Sequence, residues 1–202
     1  MNTFRTSSGF AALVLAALSQ PVLADDCSDR FTEIYMQLDQ GVPTKTVATT
    51  QFKGAPATVN DFLYLSQDHH MTVPTEPAGP WVLTYQNVMY QSADEGKSWA
   101  KVRDLDSAQN ADSAIAAKKT NAATIRNAEC GEDTVDGVTL ERVAADLTVS
   151  QGMVTENRFT YWLSRDDGFI VKAVYETTAP NFEMVTTQTI EPAPELSLPT
   201  PQ

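Results

Sequence analysis

Two histidines, two cysteines and 26 carboxylates are the side chains with which this 202-residue chain could do chemistry. His69 and His70 are adjacent. On a strand, neighbours point to opposite faces, so the two do not converge on one metal ion. No further ligands stand at zinc spacing, and the pair reads as exposed, loop-edge histidines. The carboxylates could hide a glycosidase pair, but nothing in the spacing selects two of them. A solvated acidic surface accounts for them equally well. The chain has no G-x-S-x-G, no P-loop, no G-x-G-x-x-G and no Cys with a His partner nearby. It reads as a protein that is not an enzyme and uses no cofactor and no metal.

Ser92-Ala-Asp94-Glu-Gly96-Lys-Ser-Trp99 has the S-x-D-x-G-x-[ST]-W spacing of an Asp-box. In such a turn the Asp caps backbone amides, the Gly supplies φ > 0 and the Trp packs beneath. The motif resembles the hairpin turns of sialidase-type β-propellers. A propeller needs many copies at ~40–50-residue spacing. Here only Ser164-Arg-Asp166-Asp-Gly168 repeats the first half, with Val171 where the Trp would stand. Asp94, Gly96 and Trp99 are therefore read as hairpin architecture.

The cysteines depend on the compartment. Arg5 precedes an apolar run, Phe10 to Leu18, and Val22-Leu23-Ala24 has the form of a cleavage site. Residues 1–24 read as a secretory signal peptide. The run is too short to cross a ~30 Å hydrocarbon core, and no later segment is long enough for a membrane anchor. Cys27 follows two aspartates, which argues against lipid attachment. A bacterial periplasmic or secreted chain favours pairing of Cys27 with Cys130. The formal net charge of -12 excludes a nucleic-acid partner and disfavours standing adsorption to anionic membranes.

The elements that position these residues are mostly strands. Phe31, Ile34, Tyr35 and Leu38 form a helical stripe, so Asp29 to Gln40 reads as an amphipathic helix ended by Gly41. Strand patterns follow at 46–52, 59–65, 70–73, 81–90 and 98–102. Residues 104–129 are Ala-rich without Gly or Pro and read as a second helical region with a thin apolar face. From Cys130 the chain is β again, through 134–140, 140–149, 156–163, 169–178 and 182–191, with tight turns at Asp136-Gly137, Gln151-Gly152 and Asp166-Asp167-Gly168. Tight turns without crossover helices make the sheet antiparallel and the class α+β. Residues 25–191 read as one domain, and 192–202 as an extended Pro-rich tail.

Trp81, Leu83, Tyr85 and Met89 would share one face of the 81–90 strand. Phe159, Tyr161 and Leu163 share another face, and Phe169, Val171 and Tyr175 a third. The first two sets, Trp81, Leu83, Tyr85 and Met89 with Phe159, Tyr161 and Leu163, are the candidate ligand-binding residues. Two readings stay open: the faces line a cavity, or they only pack on the helices.

The order of elements from Ser28 to Pro199 resembles the LolA/LolB/LppX group of periplasmic lipoprotein and lipid carriers. The shared features are the first helix ending near Gly41, the β-region to Trp99, the helical interruption, and the Asp136-Gly137 turn into Leu140-Glu-Arg-Val. The hairpin Tyr161-Trp-Leu-Ser-Arg-Asp-Asp-Gly-Phe-Ile-Val-Lys172 and the ending with Ile190, Pro192 and Leu198-Pro199 complete them. The resemblance implies a strongly curved antiparallel half-barrel sheet wrapped around an N-terminal helix and a central helical insert. It also implies reversible carriage or sensing of an apolar ligand such as a lipid or lipoprotein acyl chain. The alternative is an envelope protein-interaction module without a pocket, its acidic surface and tail meeting an envelope protein.

Overall fold

The computed structural model describes residues 24–105 and 111–201. The signal-peptide reading falls on residues outside that range, apart from Ala24. The described residues begin with α1 (Ala24–Met36) and a six-strand meander. Its strands are β1 (Thr44–Phe52), β2 (Thr58–Ser66), β3 (His69–Glu76), β4 (Trp81–Tyr85), β5 (Val88–Ser92) and β6 (Ala100–Asp104). Helix α2 (Ala111–Ala122) leads to a second meander: β7 (Arg126–Val135), β8 (Val138–Gln151), β9 (Met153–Leu163), β10 (Ile170–Ala179) and β11 (Phe182–Pro192). All eleven strands form one sheet in the order β6-β5-β4-β3-β2-β1-β11-β10-β9-β8-β7. Every pairing is antiparallel. The first and last strands, β1 and β11, join the two meanders at the centre of the sheet. The result is an open, curved half-barrel with helices: the antiparallel sheet is the one the α+β reading expected, and the half-barrel the one the resemblance implied.

The core lies under α1. Phe31, Ile34 and Tyr35 pack on Val143, Ala145, Leu147, Tyr161, Leu163, Ile170 and Ala173. Phe31 sits 5.7 Å from the Tyr161 ring, and Phe159 4.6 Å from Tyr175. The interior is dry enough to push Tyr175 up to about 12 and to hold Tyr161 well above the usual phenol value, in both cases chiefly by burial. The Cys27–Cys130 disulfide ties α1 to β7 across 103 residues of sequence, the pairing that the sequence reading expected. Arg30 adds a two-pronged bond to Glu141 on β8, at 3.0 and 2.9 Å.

Three elements differ from the sequence reading. Helix α1 starts earlier and stops at Met36, because the loop behind it makes better bonds elsewhere. Asp39 accepts from the Gly41 amide, and Gln40 bonds both the N–H and the C=O of Ile170. The segment 81–90 is not one strand. Gln86 and Asn87 have φ of 50° and 60°, which makes them a hairpin turn between β4 and β5. Helix α2 occupies only the middle of 104–129. From Arg126 the chain joins β8 through a register shift, and strand pairing overrides local helix propensity.

Helix α2 has no apolar stripe with which to hold itself to the core. Beyond Ala122, which packs against the core, it is attached by polar contacts. The Lys118 ammonium donates to the carbonyls of Tyr35 and Gln37, both at 2.6 Å, and lies 5.1 Å from the centre of the Tyr35 ring. Asn121 donates to the Tyr35 hydroxyl at 3.1 Å.

Candidate functional site

Opposed residues in an antiparallel ladder point to the same side, so the register assigns each side chain to a face. Tyr161 pairs with Ala173, Ala173 with Gln188, Gln188 with Ala48 and Ala48 with Asn60. That chain of partners defines the inner, helix-bearing face. Trp162, Lys172, Thr189, Val47 and Asp61 define the outer face.

The candidate residues divide between the two faces. Phe159, Tyr161 and Leu163 are inner, and they form the floor of the core beneath α1. Leu83 pairs with Met71, and Met71 with Leu63, next to Asp61 and Val73. Trp81, Leu83 and Tyr85 are therefore outer. Met89 pairs with Thr84 and is inner, so it leaves the face it was expected to share with Leu83. The cause is the Gln86–Asn87 turn, which reverses the chain and puts Tyr90 opposite Leu83.

The outer set has its own structural work. A Cβ on Gly96 would stand 2.9 Å from the Trp81 ring, so the Asp-box turn lies directly on Trp81. The turn is closed from within. The Gly96 amide donates to the Ser92 hydroxyl at 2.8 Å, and the Ser98 amide and hydroxyl donate to Asp94 at 2.9 and 2.7 Å. These bonds, the Ser98 hydroxyl first, hold the Asp94 carboxyl down at about 2. The Ser164 turn makes fewer side-chain bonds: the Gly168 amide donates to the Ser164 carbonyl instead. His69 is also outer, 4.8 Å from the Tyr85 ring, and its Nε2 bonds the Pro199 carbonyl at 3.0 Å. The C-terminal tail therefore returns to the outer face there. Both histidines lie within β3 and are half-buried, not at an exposed loop edge; sheet pairing covers them.

The inner face is unevenly covered. Helices α1 and α2 pack on β7, β8 and each other. Among the described residues no helix packs comparably on β1 to β5. Two rows of side chains cross that part of the inner face. One runs Pro192, Thr44, Tyr64, His70, Thr84 and Met89, from β11 to β5. The other runs Ile190, Thr46, Phe62, Thr72 and Val82. Five inter-strand steps of about 4.8 Å make the first row about 24 Å long. At its Pro192 end lies an open cleft of about 720 Å³, lined by Asp39, Val42, Phe169, Val171 and Pro192.

Aromatic rings gather at the centre of the rows. Phe62 and Tyr64 lie 5.4 and 6.2 Å from the His70 ring. Tyr64 Oη and His70 Nδ1 are buried, and among the described residues neither has a hydrogen-bond partner. Burial pushes the Tyr64 hydroxyl up, with Asp39 and Asp68 adding to it, and pulls the His70 imidazole down. Sequence reading missed Phe62 and Tyr64 because residues 62–65 are apolar in succession, and alternation then selects neither face; it read His70 as exposed. The described residues hold no cluster of three metal-ligating side chains.

No described helix is long and apolar enough to cross a membrane. No family model matches the sequence, and no curated protein matches it. Solved structures similar to it include a chain of the Pseudomonas aeruginosa MucA/MucB complex, at 15% identity and a TM-score of 0.44. That match covers 85% of this chain and 58% of the other, so this chain spans little more than half of its length. A LolA superfamily protein from Nitrosomonas europaea is similar at 13% identity, 88% and 96% coverage, and a TM-score of 0.36. A putative outer membrane lipoprotein-sorting protein domain from Vibrio parahaemolyticus is similar at 10% identity, 84% and 92% coverage, and a TM-score of 0.35.

Proposed function

We propose that this chain is a non-enzymatic binding protein of the bacterial periplasm that seats an acyl chain on the inner face of β1 to β5. One observation carries the reading. The helices fill only the β7–β10 part of the inner face, while the remainder carries Phe62, Tyr64, Val82 and Met89 with no helix packed on it among the described residues. An acyl chain suits that surface by size. The first row is about 24 Å long, and one leaflet of a ~30 Å hydrocarbon core is about 15 Å deep. Each methylene removed from water contributes roughly 0.8 kcal/mol.

The Pro192 end is the natural entrance, because the cleft of about 720 Å³ opens there and Pro192 belongs to both the cleft and the row. The ligand-binding role first read from Phe159, Tyr161 and Leu163 becomes a supporting one, since these side chains form the floor under α1. The signal-like N-terminus and the acidic charge suit a shuttle that leaves the bilayer with its cargo.

Native mass spectrometry of gently purified protein tests the proposal, together with displacement of a fluorescent acyl probe. Met89→Asp on the inner face should abolish probe binding, and Val47→Asp on the outer face should leave it unchanged. Equal effects from the two substitutions, or no acyl binding by the native protein, would refute it.

A further inference from the structure

We propose that Tyr64 and His70 form a polar clasp for the head of the acyl ligand, and that the clasp selects a neutral primary-amide head over a free carboxylate. The inference rests on the acyl-binding reading and gives it a chemical class.

The starting point is the pair of buried, unpartnered atoms in an otherwise aromatic, Thr-rich surface, Tyr64 Oη and His70 Nδ1. A buried polar group without a partner costs about 1–3 kcal/mol. Such groups are kept where something else satisfies them. The two rings are near-parallel, 6.2 Å apart and opposite each other on β2 and β3, so both atoms belong to one patch.

Their chemistry is complementary. A phenol donates. The main chain of Ser66 and Gln67 offers acceptors to the His70 ring. The clasp uses the tautomer with its proton on Nε2, in which the unpartnered Nδ1 presents a lone pair. The patch therefore offers one donor and one acceptor side by side. A primary amide matches both, with its C=O toward Tyr64 and the N–H on the same side toward His70; a trans secondary amide points its C=O and N–H in opposite directions and matches only one. An ester matches only the first.

Charge excludes the third class. Asp39 and Asp68 are near enough to Tyr64 to disfavour its ionised form. The same field disfavours any anionic head placed beside the hydroxyl. Asp39 also lines the cleft through which the head would enter or leave. A carboxylate or phosphate would meet like charge there.

The test measures affinities of hexadecanamide, methyl palmitate and palmitate for the full chain, by displacement of an apolar fluorescent probe. The native protein should bind the amide roughly tenfold tighter than palmitate, with the ester between them. Tyr64→Phe should lower amide affinity about tenfold while leaving the apolar probe unchanged. It should also leave the melting temperature of the ligand-free protein equal or higher, because it deletes an unsatisfied hydroxyl; a merely structural tyrosine would show a lower one. His70→Leu should equalise amide and ester. If all three ligands bind equally and Tyr64→Phe changes nothing, the clasp is wrong while the acyl-binding reading stands. If neither the probe nor any of the ligands binds, both readings fall.

Discussion

Removing the Cys27–Cys130 bond should destabilise the protein substantially without detaching α1 in the native state. The cross-link closes a loop of 103 residues. The chain-entropy model assigns a loop of that length about 4.7 kcal/mol at 25 °C, through restriction of the unfolded ensemble. In a chain of this size each kcal/mol moves the melting temperature by about 2–4 °C, so the loss should be roughly 10–19 °C. Alanine is the better replacement at both positions, since Cys27 is only 3% exposed and a serine hydroxyl there would add a burial cost. Helix α1 should keep its place, because Phe31 and Ile34 are buried against the sheet and Arg30 still holds Glu141. The assay is urea unfolding of native protein and the Cys27→Ala/Cys130→Ala variant, with hydrogen exchange on both. The variant should show the loss in stability, a larger m-value from a more expanded unfolded state, and unchanged exchange protection in α1 relative to β8 and β9. A loss under about 1 kcal/mol would refute the entropic account. So would selective loss of protection in α1, which would place the effect in the folded state.

Gly96→Ala should cost about 2–4 kcal/mol, combining its φ of 84° with a Cβ 2.9 Å from the Trp81 ring. Gly54→Ala has a similar φ of 81° but open space around it, and should cost about 1–2 kcal/mol; equal losses in thermal melts would show that the Trp81 contact is soft. Asp94 is held at about 2, below its unfolded value near 3.9, so its bonds contribute above pH 4 and are lost as pH falls toward 2. The protection factor of the Ser98 amide, its exchange rate relative to the intrinsic rate at each pH, should therefore fall across that window in native protein and stay flat in Asp94→Asn. Lys118→Met should loosen α2 selectively, visible as faster amide exchange over residues 111–122 with β8 unchanged, because the ammonium's bonds to Tyr35 and Gln37 replace an apolar stripe there.

What the sequence by itself determined is local chemistry. The alternating strands, the Asp136-Gly137 and Asp166–Gly168 turns, the Asp-box hairpin and the pairing of two cysteines all follow from residue types within a few positions or from compartment. So does the α+β class. The half-barrel followed from the resemblance to a family, which rested on the order of the elements. The boundaries of α1 and α2 were less legible, since they depend on Gln40 reaching Ile170 and on β7 pairing with β8, each a contact with a distant segment. The turn at Gln86–Asn87 was hidden because Gln is a rare residue at φ > 0.

Only the tertiary structure decided the faces. A strand carries a period of two but no sign, so Trp81–Leu83–Tyr85 and Phe159–Tyr161–Leu163 looked alike as patterns. The eleven-strand register put the first set outside, on the Asp-box turn and the tail, and the second under α1. The same register drew Tyr64, His70 and Met89 into one row on the part of the inner face that α1 and α2 leave uncovered. Those residues come from separate strands, and nothing local to any one strand records that they meet.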